Sequence, residues 1–188
     1  TNTVKRMAEG ELLQIQKTRK LDIDEKTYFQ VIKDKTASLL ETCCQVGALS
    51  GSENEKYIEA MRVYGESLGI AFQIKDDTLD YDSNYNLFGK KVGSDIKEKK
   101  ITLPLIHALS QVSKDEASSI KKLVRNAKEH KNVERVIEFV KKYDGLTYSL
   151  DTAVQYAHKA RTALQVFPES PSKTALDFLV DFVINRKN

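Results

Sequence analysis

The sequence predicts an all-α chain, and three observations lead to this prediction. Strand-type alternation of apolar and polar residues is absent from the 188 residues. Apolar residues recur at intervals of three and four, which is the period of an α-helix. The 8 glycines and 3 prolines cluster at a few places, which are therefore predicted breaks between helices. We expect one domain over residues 1–188, since no repeat, low-complexity segment or linker divides the chain.

Helix one is predicted over roughly residues 3–17. Its apolar stripe consists of Val4, Met7, Ala8, Leu12 and Ile15. Glu11 lies four residues from both Met7 and Ile15, so it should point inward along this stripe. Gln14 is next to it on the same side.

Helix two is predicted from Asp24, a suitable N-cap, to Gly51 near its C-terminal end. The residues at helical spacing are Tyr28, Ile32, Leu39, Cys43 and Val46. Lys35 falls on this stripe, with Thr36 beside it. A lysine in that position either extends its ammonium group to solvent or meets an anion inside the protein.

Helix three should begin with a capping box, Ser52-x-x-Glu55, and run to about Ser83. Gly65 and Gly69 lie four residues apart on this helix. Glycine lowers helix stability by roughly 1 kcal/mol relative to alanine, so this pair predicts a close helix contact.

We interpret the second half of the chain as a structural scaffold. A loop at 84–101 precedes a short helix at 102–109, in which Thr102 is the expected cap and Pro104 is tolerated in the first turn. Ser113-x-x-Glu116 is another capping box. Further helices are predicted at about 114–126, 132–142, 146–166 and 171–186.

Composition excludes several classes of function. A net charge of +3, with lysines spread over many segments, gives no case for nucleic-acid binding. No run approaches about 18 apolar residues, so no membrane span is expected. The adjacent Cys43 and Cys44 cannot form a disulfide framework, which favours a reduced, cytoplasmic protein.

A candidate metal site lies at the end of helix three. Asp76 and Asp80 are four residues apart, so like charges share one face near the helix C-terminus, where anions are disfavoured. Asp77 adds a third carboxylate. Oxygen-only ligation suits Mg²⁺, which commonly bridges carboxylates to substrate phosphates. The lysines that could neutralise those phosphates are Lys90, Lys91, Lys97, Lys99 and Lys100. A solvated, self-neutralising surface is the alternative interpretation of the same pattern.

Polar residues interrupt the apolar stripes of three predicted helices. They are Glu11 with Gln14, Lys35 with Thr36, Gln73, and Asp76 with Asp80. If these helices pack around one cavity, carboxylates, amides and an ammonium group converge on it. The pattern therefore predicts a diphosphate site inside a helical bundle.

The segments FQIKDDTLD and GKKVGSDIKEKKITLPLIHAL resemble the second aspartate-rich motif and the following loop of trans-isoprenyl diphosphate synthases, especially the bacterial polyprenyl type. The resemblance runs through the whole chain and is weak after about Leu109. It implies an antiparallel helical bundle of the isoprenoid synthase type, and typically a homo-oligomer.

The resemblance also implies roles for individual residues. Asp76, Asp77 and Asp80 correspond to the metal-binding motif. The residues that correspond to catalytic or substrate-binding positions are Gln14, Lys35, Thr36, Phe72, Gln73, Lys90 and Lys100. The implied reaction is a Mg²⁺-dependent head-to-tail transfer, in which isopentenyl diphosphate attacks an allylic cation formed by loss of diphosphate.

The sequence departs from the family pattern in one respect. DDxxD occurs only at 76–80 and adjacent arginines are absent, so the first aspartate-rich motif is missing. We therefore expect a C-terminal portion of the family domain, inactive or nearly so by itself. Its exposed helix faces should then self-associate.

Other functions are compatible with the pattern. One is a non-catalytic subunit of a heteromeric prenyl synthase, although the retained aspartates and lysines argue against it. A terpene cyclase fits less well, because the Lys35–Thr36 pair and the lysine-bearing loop suit a second diphosphate substrate rather than cyclisation. A plain helical interaction module with solvated charges fits less well, because Lys35 and Glu11 are placed to face inward.

Overall fold

The computed structural model describes residues 2–82 and 92–186, and within them all regular secondary structure is helical. The predicted all-α class is confirmed. The helices are α1 (Asn2–Lys20), α2 (Glu25–Ile32), a π-helical segment (Lys33–Ala37), α3 (Ser38–Gly51), α4 (Glu55–Leu79), α5 (Ser94–Lys97), α6 (Leu103–Ser110), α7 (Lys114–Arg125), α8 (His130–Lys142), α9 (Gly145–Ala163), a 3₁₀ turn (Leu164–Val166) and α10 (Pro171–Asn185).

The long helix α4 lies at the centre of the bundle. It packs against α3 on one side and α9 on another, and α10 contacts both α4 and α9. The larger apolar core contains Ile74 of α4 together with Leu105 and Val140 from the second half. A smaller core beneath α10 includes Tyr64 and Val180. Because α4 belongs to both cores, its C-terminal end is held firmly on several sides.

The helices of the second half lie close to their predicted bounds. The side chain of Ser113 accepts a hydrogen bond from the Glu116 backbone and caps α7, as the capping box predicts. Pro104 occupies the first turn of α6. Thr102 stands at the N-cap position of α6 without a capping hydrogen bond, because its hydroxyl lies 3.3 Å from that of Tyr81.

The prediction of a single helix over 24–51 is wrong in its middle. Asp24 caps α2 as expected, but Lys33–Ala37 forms a π-helical segment, with the Ser38 amide donating to the Lys33 carbonyl. A π turn adds one residue to the helical repeat, so everything after it is rotated. Leu39 and Val46 are therefore exposed, Val46 by 53%, while Glu41 is buried.

The apolar stripe predicted on α1 is not buried. Val4 and Ile15 are exposed, and Leu12 is 66% exposed. The buried residue of α1 is Gly10, which lies against the π-helical segment. The close backbone contact at this glycine, rather than the stripe, decides which side of α1 faces the bundle.

Both ends of α4 differ from the prediction. Asn54, not Ser52, caps its first turn by accepting from the Lys56 amide. The helix ends at Leu79 rather than near residue 83. The close contact predicted from the glycine pair is confirmed, because a Cβ on Gly65 would lie 2.5 Å from the Leu40 carbonyl oxygen.

The predicted loop at 84–101 falls partly outside the described residues. Its described part contains the short helix α5, which the sequence did not predict. Within residues 2–82 and 92–186, every helix is too short or too polar to cross a membrane.

Candidate active site

A cavity of about 310 Å³ lies between α1, α2, the π-helical segment, the end of α4 and residues 92–102. Most of the predicted site residues meet there. Those that line it are Gln14, Lys35, Thr36, Gln73, Asp76, Asp77, Asp80 and Lys100. The apolar part of its wall includes Ile23, Val31 and Ile101. A cavity with an apolar wall and a few convergent polar groups is the usual form of a small-molecule site.

The π-helical segment carries Lys35 and Thr36 into the cavity wall. Two glycines allow it to pack closely against neighbouring helices. A Cβ on Gly10 would lie 2.8 Å from the Lys35 nitrogen, and one on Gly69 would lie 2.7 Å from the Ala37 Cα. The wider π turn is thus held on two sides by backbone contacts, a geometry frequently found at functional sites.

The Lys35 ammonium group lies at the cavity and not on an apolar surface. It donates to Gln14 Oε1 at 2.7 Å and forms a 2.6 Å ion pair with Glu11 Oε2. Glu11 is half-exposed, so water screens much of this pair. Lys35 can therefore exchange Glu11 for a stronger anion, such as a phosphate, without a large loss.

The three aspartates of the DDTLD stretch occupy different environments. Asp77 is buried, with a residue exposure of 6%. Its Oδ2 accepts from the Tyr28 hydroxyl at 2.7 Å, and its Oδ1 accepts from Gln73 Nε2 at 2.8 Å. Burial raises the pKa of Asp77 to about 7, against the opposing effect of the Tyr28 hydrogen bond and with a further increase from the charge of Asp95.

Asp76 and Asp80 are more accessible than Asp77. The Asp76 side chain is 49% exposed, and Arg186 Nη2 is 3.5 Å from its Oδ1. The Asp80 oxygens accept from the backbone amides of Ser94 and Asp95, at 3.0 and 2.9 Å. Asp80 therefore fixes the start of α5. The helix α4 itself ends at Leu79, one residue before Asp80.

The carboxylate oxygens at the cavity suit a hard divalent cation. Asp76 offers solvent-facing oxygens, and Asp80 lines the same cavity. The predicted ligand Asp77 fits less well, because it is 6% exposed and Mg²⁺ usually keeps several of its waters. In the described part of the chain, no three His, Cys, Asp or Glu side chains are arranged as a ready-made metal site.

Lys100 lies at the cavity and is held by two acidic partners. Its ammonium nitrogen is 2.6 Å from Glu98 Oε2 and 3.6 Å from Asp95 Oδ1. Burial alone would lower the Lys100 pKa, but the hydrogen bond to Glu98 and the charge of Asp95 outweigh it, and the pKa is raised. Lys100 therefore stays cationic at neutral pH.

Two predicted site residues are not seen at the cavity. Phe72 is absent from the described residues that line it and packs in the smaller core, with the Arg186 guanidinium 4.0 Å above its ring. Lys90 lies outside the described residues.

Sequence reasoning missed several residues that line the cavity: Lys17, Thr18, Tyr28 and Asp95. Tyr28 was placed on an apolar stripe, and its hydroxyl gives no separate signal in the sequence. Asp95 follows the glycine at 93, whose positive φ of 76° starts the turn into α5. That turn could have been suspected from the Gly-Ser-Asp sequence.

Known proteins are similar to this chain over most of its length. The family model described as Polyprenyl synthetase matches residues 1–142. The octaprenyl diphosphate synthase of Haemophilus influenzae is 34% identical over 180 residues, which is 96% of this chain and 55% of that protein. The heptaprenyl diphosphate synthase component 2 of Bacillus subtilis is 30% identical over 187 residues, all of this chain and 53% of that protein.

A solved structure shows the same fold. It is a polyprenyl synthase from Caulobacter crescentus complexed with calcium and isoprenyl diphosphate, with a TM-score of 0.89 and 34% identity. The match covers 100% of this chain and 57% of that one. The chain thus spans little more than half the length of the relatives it matches.

Proposed function

This chain belongs to the polyprenyl synthetase family, and on that premise we propose that it forms part of the active site of a polyprenyl diphosphate synthase. The reaction is the head-to-tail condensation of isopentenyl diphosphate with an allylic diphosphate. The observation that carries the proposal is the cavity, where Lys35 and Lys100 share one space of about 310 Å³ with Asp76 and Asp80. Cations and carboxylates brought together in this way suit a metal-bound diphosphate.

The lysines and amides bind the diphosphate in this proposal. Lys35 leaves Glu11 for the diphosphate oxygens, and Lys100 adds a second positive charge. The Thr36 hydroxyl and the Gln73 amide line the same wall. Lys90, which lies outside the described residues, remains a predicted diphosphate ligand. Positive groups fixed in a partly apolar site stabilise the charge that develops on a departing diphosphate.

Mg²⁺ is the proposed cofactor, held by Asp76 and Asp80. When bound, it would neutralise the negative charge of the diphosphate. The calcium and isoprenyl diphosphate bound by the Caulobacter crescentus relative support a divalent cation and this class of substrate. The role of the chain is to hold the two carboxylates beside Lys35, and to exclude water with the apolar wall.

We propose that these 188 residues alone do not complete the reaction. DDxxD occurs only at 76–80 in the sequence, and no adjacent arginines are present. The alternative is a non-catalytic helical subunit of a heteromeric prenyl synthase. The Bacillus subtilis relative, named as component 2 of its enzyme, favours keeping this alternative.

Association with a further copy is part of the proposal. Large apolar side chains of α1 and α3 are exposed: Val4, Leu12, Ile15, Leu39, Val46 and Leu49. Apolar surface of this kind commonly marks a protein interface, so we propose a homo-oligomer. Two free cysteines, Cys43 and Cys44, fit a cytoplasmic location.

Titration calorimetry with Mg²⁺ and inorganic diphosphate tests the binding function. The parent chain should bind, and Lys35→Ala should weaken binding about tenfold, since charge-assisted hydrogen bonds contribute roughly 1.5–3 kcal/mol. Lys56→Ala is the matched control, because Lys56 is exposed in the first turn of α4, at the opposite end of that helix from Asp76. Equal losses of affinity in both variants would mean that only the net charge of the chain matters, and would contradict the proposal.

A prenyl-transfer assay tests the proposal that these residues alone do not complete the reaction. Labelled isopentenyl diphosphate with an allylic diphosphate should give no product with the 188-residue chain. Product formed by the purified chain would show that these residues suffice and would overturn the proposed incompleteness.

A further inference from the structure

Four side chains from three elements form a continuous hydrogen-bonded chain along the cavity wall. The Tyr28 hydroxyl donates to Asp77 Oδ2 at 2.7 Å, and Gln73 Nε2 donates to Asp77 Oδ1 at 2.8 Å. The Thr36 hydroxyl donates to Gln73 Oε1 at 2.9 Å. The chain thus links α2, α4 and the π-helical segment, and its central member is the buried carboxylate.

This arrangement determines which way the Gln73 amide points. When Asp77 is ionised its oxygens only accept, so the NH₂ group of Gln73 faces Asp77 Oδ1, at 2.8 Å. The amide carbonyl then faces Thr36, and the hydroxyl of Thr36 must donate to it. An amide without such a neighbour can rotate by 180° and exchange its donor and acceptor ends. Asp77 therefore fixes the carbonyl oxygen of Gln73 beside Thr36, on the wall that carries Lys35.

Asp77 differs from its two neighbours in how its oxygens are used. Both oxygens accept from side chains of the protein, and the residue is 6% exposed. Asp76 is 49% exposed, and the oxygens of Asp80 accept from backbone amides at the cavity edge. A metal ion at Asp77 would have to shed water ligands to reach a carboxylate that is 6% exposed and that faces two hydrogen-bond donors, the Tyr28 hydroxyl and the Gln73 amide.

We propose that Asp77 is a positioning residue: together with Tyr28 it fixes the orientation of the Gln73 amide and, through it, the Thr36 hydroxyl, and it does not bind the metal ion. The statement about the metal rests on the proposed function. The statement about Gln73 rests only on the contacts within the chain. The aspartates of the DDTLD stretch then have two roles: Asp76 and Asp80 face the ligand, and Asp77 forms hydrogen bonds within the protein.

The orientation of Gln73 can be measured without any ligand. In the ¹⁵N-labelled 188-residue chain, the side-chain amide signal of Gln73 is assigned by its loss in Gln73→Glu. Its hydrogen exchange should accelerate by about tenfold in Asp77→Leu, which removes the acceptor while keeping similar volume. Asp77→Asn keeps an acceptor oxygen and should restore slow exchange. Asp76→Asn should leave the exchange rate as in the parent chain.

If Asp77→Leu does not fold, Tyr28→Phe replaces it. That variant keeps the carboxylate and removes the donor that holds it, so the exchange of the Gln73 amide should still accelerate relative to Asp76→Asn. Exchange that is the same in Tyr28→Phe, Asp77→Asn and the parent chain would overturn the positioning role.

The proposal that Asp77 does not bind the metal ion is tested by titrating Mg²⁺ with inorganic diphosphate into Asp76→Asn and Asp77→Asn. Asp76→Asn should lose affinity by about tenfold or more, whereas Asp77→Asn should stay within about threefold of the parent chain. Equal losses would make Asp77 a ligand and overturn the proposal. If the parent chain itself binds nothing, the proposed function fails, and the exchange experiment alone decides whether Asp77 positions Gln73.

Discussion

Two regions of the chain are built by different rules: the wall, residues 2–82, which supplies most of the cavity lining, and the scaffold, residues 103–186. Residues 92–102 complete the lining. In the scaffold, capped amphipathic helices bury aliphatic side chains, among them Leu105, Val136 and Val140. In the wall, the carboxylates of Glu41 and Asp77 are buried, whereas the buried polar side chains of the described scaffold are the small hydroxyl residues Ser149 and Thr152. Local rules are broken where a site must be built, because a site needs polar groups that a plain core would exclude.

The largest difference should appear when an aliphatic side chain is shortened in each region. Leu105→Ala in α6 removes a side chain with 0% exposure, so it should lower the free energy of unfolding by about 2–5 kcal/mol. At protein concentrations that keep the chain monomeric, Leu12→Ala in α1 should change it by less than about 0.5 kcal/mol. Urea denaturation followed by circular dichroism measures both. A comparable loss at Leu12 would mean that the exposed face of α1 is covered in solution.

The pH dependence of stability should reveal the buried carboxylate of the wall. The pKa of Asp77 is about 7 in the folded chain, above the 3.8 of an ordinary aspartate, so the folded state binds its proton more tightly. The contribution of the protonated Asp77 carboxyl to the free energy of unfolding is fully present below pH 3.8, and it falls as the pH rises towards 7. The loss is up to about 4 kcal/mol.

The measurement is urea denaturation between pH 4 and 8 with EDTA present, on the parent chain and on Asp77→Asn. The variant cannot titrate at this position, so its stability should fall less over the same interval. Parallel pH profiles for the two proteins would contradict the assignment of the slope to Asp77.

The close packing of the π-helical segment can be tested at Gly69, the α4 glycine that contacts it. A Cβ on Gly69 would lie 2.7 Å from the Ala37 Cα, so Gly69→Ala should destabilise the fold by about 1–3 kcal/mol. Gly47→Ala is the matched control in α3, where a Cβ meets nothing within 4 Å. It should stabilise by about 0.5–1 kcal/mol. Thermal unfolding that ranks both variants alike would show that the close contact is not needed.

The smallest effects concern ion pairs. Arg161 bridges Asp177 and Asp181 on an exposed surface of the scaffold, so Arg161→Ala should alter stability by less than about 1 kcal/mol. Arg6 pairs with Glu41, whose side chain is 11% exposed, in the wall. Arg6→Ala should cost more than Arg161→Ala, since it removes a partner from a nearly buried carboxylate. Salt titration of both unfolding curves gives the check, with the larger salt response expected at Arg161.

The scaffold is also the region that the sequence predicted better. Its helices depend on local signals such as the Ser113 cap and the prolines at 104 and 171, and these signals lie within a few residues of the helices they define. The all-α fold follows from such periodicity, and family resemblance pointed to the correct family.

The wall could not be predicted to the same degree. Its π-helical segment depends on contacts with Gly10 and Gly69, which are more than 20 residues away from it, and the sequence of Lys33–Ala37 does not reveal them. One added residue in a turn then exposed Leu39 and buried Glu41. Most of the predicted site residues nevertheless line one cavity, because polar residues at inward-facing positions stand out whether or not the helix is regular. Their separate roles, as for Asp77 beside Asp76, depend on three-dimensional contacts.

The central claim is that the cavity binds a metal-bound diphosphate through Asp76 and Asp80. Thermal unfolding with and without Mg²⁺ plus inorganic diphosphate tests it on the parent chain and on the Asp76→Ala, Asp80→Ala double variant. Each protein is compared with its own ligand-free curve, because Asp80 also fixes the start of α5. At a hundred times the dissociation constant, the parent chain should gain about 2.7 kcal/mol and the variant nothing. No gain in the parent chain, or an equal gain in both proteins, would contradict the claim.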